Sequence, residues 1–192
     1  IEFTPGSFNN LPSPAANPTE DRFDLKLHHK AMEVTPFNHI TINWEPAGHP
    51  PFYFQPHFDL HFYKISVAQQ NTISGVPGPA PAPGYLPVSY VVRGATVPQM
   101  GTHWLNPASP EFPPTSAPFT YTFIYGSNNG NVHFLEPMIT RAFLLSGTPV
   151  NLPFAQPISF SQSGTNYPST YNVWKSTDKG RTYVALSNFV WK

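Results

Sequence analysis

The run QPHFDLHFYKIS, residues 55–66, sets His57, Asp59 and His61 at alternate positions, with Phe58, Leu60 and Phe62 between them. Successive side chains of a β-strand point to opposite faces, so the two imidazoles and the carboxylate share one face and the three apolar groups share the other. At about 3.3 Å per residue, His57 and His61 would stand about 13 Å apart along an ideal strand, stretched for sharing one ion. Pro56, just upstream, predicts an edge position or a bulge, and a bulge would shorten that gap and re-aim the side chains.

Two further stretches can complete a site. PQMGTHWLNP places His103 between Gly101 and Trp104 after a proline-rich connection, and VHFLEPMIT places Glu136 among apolar neighbours. An ionised carboxylate costs several kcal/mol to desolvate without a partner, so Glu136 calls for a cation: Arg141, Lys64 or a metal. Eight histidines are present, and a single histidine on a β surface is commonly just a hydrogen-bonded polar group; clustering is what distinguishes these three. One reading is a buried polar network with no ion. The other is a divalent-metal site with His57, His61, His103 and Glu136 as ligands, and with Asp59 as an acceptor behind them that fixes a histidine tautomer. Neutral imidazole and carboxylate suit Zn, Mn, Fe, Ni or Cu better than Mg or Ca.

The elements that must position these residues read as strands. FNHITINW, residues 37–44, alternates apolar and polar with β-branched residues, and residues 52–67 follow as a second, longer strand. Residues 119–144 form the clearest hairpin, two alternating runs joined by Gly126 to Gly130; a second hairpin closes the sequence and turns at Asp178 to Gly180. Residues 76–118 hold eleven prolines, which no helix survives, so they predict a long surface excursion with SYVVRG as a short strand inside it. Only DRFDLKLHHKAME could form a turn or two of helix, and its Phe23, Leu25 and Leu27 fit period 2 better. Residues 1–20 carry four prolines and no usable period, which predicts an extended N-terminal arm ahead of a single all-β domain over residues 21–192. The expected fold is an antiparallel sandwich or barrel with long Pro-rich loops.

Composition narrows the function classes. Lys+Arg and Asp+Glu are 10 each, a formal charge of zero, which argues against nucleic acid or an anionic membrane surface as partner. No apolar run approaches the roughly 18 residues of a membrane span. Without cysteine there is neither a disulfide framework nor a thiolate ligand. Charged residues make up only 10%, against roughly 25% in average soluble domains, and this polar, aromatic-rich makeup predicts a secreted, cell-surface or periplasmic β protein. The chain begins at Ile1 without a basic and apolar leader, as expected if any secretory signal has been removed or never existed. G-x-S-x-G and H-E-x-x-H are absent.

The blocks PHFDLHFYKIS, VPQMGTHWLNPASPEF, FTYTFIYGSNNGNVHFLEPMITRAFL and YPSTYNVWKSTDKGRTYVALSNFVWK resemble a family of uncharacterised, mostly bacterial proteins related to a ring-forming Thermus protein controlled by an envelope-stress sigma factor. The resemblance covers roughly residues 35–192 and leaves the arm outside. It implies an all-β fold and an extracytoplasmic setting, and it brings no established reaction or ligand assignment.

Three functions are therefore open. The expectation is a self-assembling structural protein, a ring or fibre of identical chains joined through the arm or through sheet edges, with a divalent-metal site as a separate property. The arm favours this, since Ile1, Phe3, Phe8 and Leu11 are apolar anchors that a solvated tail would not need. The alternatives are a metal-dependent enzyme of cupin-like type, built on the three histidines and the glutamate, and a binder of small apolar ligands.

Overall fold

A computed structural model describes residues 1–13, 21–50 and 52–192; residues 14–20 of the expected arm, and Pro51, lie outside the described residues. In chain order the strands are β1 (Glu2–Phe3), β2 (Asp21–Lys26), β3 (His39–Glu45), β4 (His57–Tyr63), β5 (Val91–Val92), β6 (Thr102–Leu105), β7 (Tyr121–Asn128), β8 (Asn131–Thr140), β9 (Val150–Pro153), β10 (Asn166–Lys175) and β11 (Thr182–Trp191). Three short helices join them: α1 (His29–Val34), α2 (Val67–Gln70) and α3 (Arg141–Ser146). The strands form two antiparallel sheets, one ordered β1-β11-β10-β9 and the other β2-β3-β4-β8-β7-β6-β5. Neither closes into a barrel among the described residues.

Strand alternation decides where the core sits. Ile40, Ile42 and Trp44 of β3 and Phe58, Leu60 and Phe62 of β4 share a buried cluster with Tyr171 and Val173 of β10 and Val184 and Leu186 of β11, so both sheets contribute to one core. The opposite face of the seven-stranded sheet carries the polar side chains of β4, yet all seven residues of β4 are buried. Loops cover that face: Tyr53, Phe112 and Phe119 pack onto Leu105, Ile124 and Met138. Polar groups beneath such a cover are cut off from bulk water and need partners within the protein.

Two expectations about local structure need correction. Pro56 marks neither an edge nor a bulge: β4 lies between β3 and β8 and pairs with β3 without a break, from Glu45↔His57 to His39↔Tyr63. Pro56 sits just before the strand, where its missing N–H leaves the ladder intact, and its carbonyl accepts the Arg141 N–H at 2.9 Å. The irregularity lies instead at Gly126/Ser127, between β7 and β8. The run RAFL does not extend the hairpin, because the Thr140 hydroxyl accepts the Phe143 N–H at 3.3 Å and caps α3.

The first part of the arm is built into the domain. β1 pairs with β11, and Phe3 and Phe8 are buried in the shared core, their rings stacked 5.2 Å apart and Phe3 lying 5.3 Å from Phe58.

Candidate metal centre

Five polar side chains on the covered face, together with one from a loop, sort into two groups. The first is His61, His103 and Glu136. The pairs Asp59↔Met138 and Phe62↔Leu135 keep one register, which sets His61 of β4 across from Glu136 of β8. His103 arrives from β6, two strands beyond β8, and its ladder partner on β7 is Gly126. That glycine is next to Phe134 on β8, and a Cβ there would strike the Phe134 ring. The ring packs 4.9 Å from His61 and 5.3 Å from His103, so the glycine admits the aromatic side chain that walls the group.

His61 Nε2 stands 3.4 Å from Glu136 Oε1, and His103 Nε2 stands 3.7 Å from Glu136 Oε2. Among the described residues neither ring nitrogen of His61 has a hydrogen-bond partner, although the side chain is wholly buried. Donor atoms about 2.0–2.2 Å from a shared ion lie about 3.0–3.5 Å from one another in tetrahedral or octahedral arrangements, so this spacing and the unpartnered nitrogens fit a ligand set. Burial pushes His61 down to about 3 and His103 down to about 4, against a partly opposing pull from the Asp59 charge. Both imidazoles are therefore neutral near pH 7, the form that ligates metal.

The second group is His49, His57 and Asp59. His57 Nε2 lies 3.0 Å from Asp59 Oδ1, and His49 Nε2 lies 3.3 Å from Asp59 Oδ2. Burial alone would raise Asp59, but the His57 charge and the His49 hydrogen bond outweigh it and hold the carboxyl well below the usual range. Burial works against a charge on His49 too, yet the hydrogen bond and charge of Asp59 prevail and hold it up at about 9.

The four-ligand set expected from the sequence is thus divided. His61, His103 and Glu136 come together; His57 does not join them, because β4 has no bulge to close the spacing between positions 57 and 61. Asp59 is not behind the first group but at the centre of the second. Of the two cations proposed for Glu136, Arg141 donates to the Phe8 carbonyl at 2.9 Å, and the Lys64 ammonium lies over the Tyr167 ring, 5.6 Å from its centroid.

His49 belongs to the second group although no strand pattern in the sequence marks it. It lies in the loop that returns β3 to β4, and the bridge His49↔Tyr53 folds that loop back over the start of β4. A loop joining two paired strands must return past the first residue of the second, and that was the available signal. Other histidines have structural roles. His133 Nε2 bonds the Met100 carbonyl at 2.8 Å, His39 Nε2 bonds Gln70 Oε1 at 2.8 Å, and His28 caps α1.

Both groups open on one cavity of about 420 Å³, lined by His49, Asp59, His103 and Glu136 with apolar walls that include Leu105, Ile124 and Met138. Tyr53 also lines it; its hydroxyl is buried with no hydrogen-bond partner among the described residues. Burial, reinforced by the charges of Glu111, Glu136 and Asp59, keeps that phenol protonated. No family model, curated protein or solved structure matches the chain.

Proposed function

We propose that the protein is a two-sheet sandwich that binds a divalent transition metal through His61, His103 and Glu136, and that it binds and transforms a small molecule in the adjoining cavity. The observation that carries this reading is the set of donor atoms 3.4–3.7 Å apart, with His61 wholly buried and unpartnered at both nitrogens among the described residues, at the wall of a cavity of about 420 Å³. That volume lies within the usual range for small-ligand sites. Three protein ligands leave room for further ones, and a bound ion would supply a Lewis acid on the cavity side. The chain's own groups do the rest. Leu105, Ile124 and Met138 exclude water from one wall, and Tyr53 lines the cavity beside them.

The test is metal analysis of protein purified without a histidine tag, set beside His103→Ala. One equivalent fewer of transition metal in the variant than in the wild type supports the reading. Equal metal in both contradicts it.

Self-assembly is the second reading, and a different surface favours it. The edge strand β2 leaves Phe23 and Leu25 exposed, and Met32 and Val34 of α1 are exposed as well. Sheet edges with exposed apolar side chains are templates for pairing. The arm lends this reading less, since Phe3 and Phe8 are already in the chain's own core. A monomeric mass in solution at tens of micromolar protein would remove it.

A further inference from the structure

Asp59 is faced by two histidines whose other nitrogens are already fixed. His57 Nδ1 lies 2.6 Å from the Gln55 carbonyl, and His49 Nδ1 lies 2.9 Å from the Pro50 carbonyl. A carbonyl oxygen only accepts, so each Nδ1 must carry the proton and donate it. In the neutral ring that leaves the lone pair on Nε2, and both Nε2 atoms stand against the two oxygens of one carboxylate, at 3.0 and 3.3 Å. A positive charge must therefore lie among them: without metal it is the proton that His49 Nε2 donates to Asp59 Oδ2, and a divalent ion would take that proton's place. A ring N–H held by a backbone carbonyl while the other nitrogen faces inward is the arrangement that orients metal-bound histidines.

The contact between His57 and Asp59 says more. His57 Nε2 and Asp59 Oδ1 are 3.0 Å apart, an ion-pair distance, yet neither atom makes a well-formed hydrogen bond among the described residues. His57 is wholly buried and Asp59 nearly so. Two buried donor atoms this close, with no well-formed hydrogen bond between them, are placed to share a third point. The same spacing, about 3.0–3.5 Å, separates neighbouring ligands of one transition-metal ion.

We propose that His49, His57 and Asp59 form a second divalent-metal site, separate from the first and opening on the same cavity. Two imidazoles and one carboxylate select the borderline metals, Zn, Fe, Co, Ni or Cu, over Mg and Ca. The side chain of His49 keeps 34% of its surface exposed, so the ion has an entry on the loop side. His49 and Asp59 line the cavity beside His103 and Glu136, so a ligand in the cavity can meet both ions. This site stands on its own geometry and does not require the first to be occupied.

The experiment is a titration of chelator-treated, untagged protein with zinc, reading equivalents bound, in the wild type and in His49→Gln and His61→Gln. His49 is on a loop, so its replacement leaves the sheets intact, which circular dichroism checks. Two equivalents in the wild type and one in each variant are expected. One equivalent in the wild type, kept in His49→Gln and lost in His61→Gln, overturns the second site and leaves the first standing; here the cluster holds protons only. One equivalent, lost in His49→Gln and kept in His61→Gln, removes the first and supports the second. Imidazole nitrogen NMR of the wild type, histidine-labelled, decides the matter without variants. Zinc should shift the Nε2 signals of His49 and His57, and unchanged signals from both overturn the proposal.

Discussion

His61 is useful to a metal only while it is neutral, and its surroundings keep it so. Burial pushes it down to about 3 and pushes His103 down to about 4, where an ordinary histidine titrates at 6.5. Proton competition at this group should therefore begin near pH 4, so zinc occupancy there is expected to be unchanged between pH 7 and 5, by equilibrium dialysis of His49→Gln. Occupancy falling by half near pH 6.5 would show ordinary, solvated imidazoles. The same depression predicts how the metal-free protein responds to acid. Between about 6.5 and 4 the unfolded chain takes up protons that the folded one refuses, so the contribution of His61 and His103 to stability is complete above 6.5 and is lost as pH falls toward their folded values. The melting temperature of metal-free protein should decline over that window, and a rise would contradict the assignment. At residue scale the sequence showed the chemistry but not the grouping. Glu136 stood out as a carboxylate in an apolar run, and His57, Asp59 and His61 as an alternating polar face. Whether positions 57 and 61 could share an ion turned on a bulge that β4 does not have.

β4 places both groups at once, one at each end, and its neighbours decide what meets them. β8 brings Glu136 to His61, and β6 brings His103 across from Gly126. That glycine is the weak point of the arrangement, since a methyl group there would collide with Phe134, whose ring walls His61 and His103. Gly126→Ala is expected to cost about 1–3 kcal/mol by overpacking and to weaken zinc binding at the first group. Urea unfolding and zinc titration of the variant check both, and unchanged affinity would mean that the ring does not position the imidazoles. Alternation with β-branched and aromatic residues made β3, β4, β7 and β8 legible in the sequence. β6 was not, because Thr102–Leu105 is too short and too isolated among prolines to show a period. α3 was missed because one capping hydroxyl, on Thr140, redirects a run whose apolar content suits a strand equally well.

At the scale of the whole molecule, one sheet has two faces with opposite tasks. The face with Phe58, Leu60 and Phe62 joins the core shared with the second sheet, while the face with His57, Asp59 and His61 is sealed by loops around a cavity. The all-β class follows from alternation alone; the cover does not, because proline-rich loops have no period that says which face they cross. The N-terminal segment contributes to the core rather than standing apart from it. Phe8→Ala should destabilise the protein by about 3–5 kcal/mol in urea unfolding, as for a buried phenylalanine. A change below about 1 kcal/mol would mean that the segment is not docked. The central claim, that His61, His103 and Glu136 hold a metal, is tested most directly by anomalous diffraction from crystals of the cobalt-loaded wild type. The account predicts a peak about 2.0–2.2 Å from His61 Nε2, His103 Nε2 and a carboxylate oxygen of Glu136. Loaded crystals with no anomalous density within about 3 Å of those three atoms would contradict it.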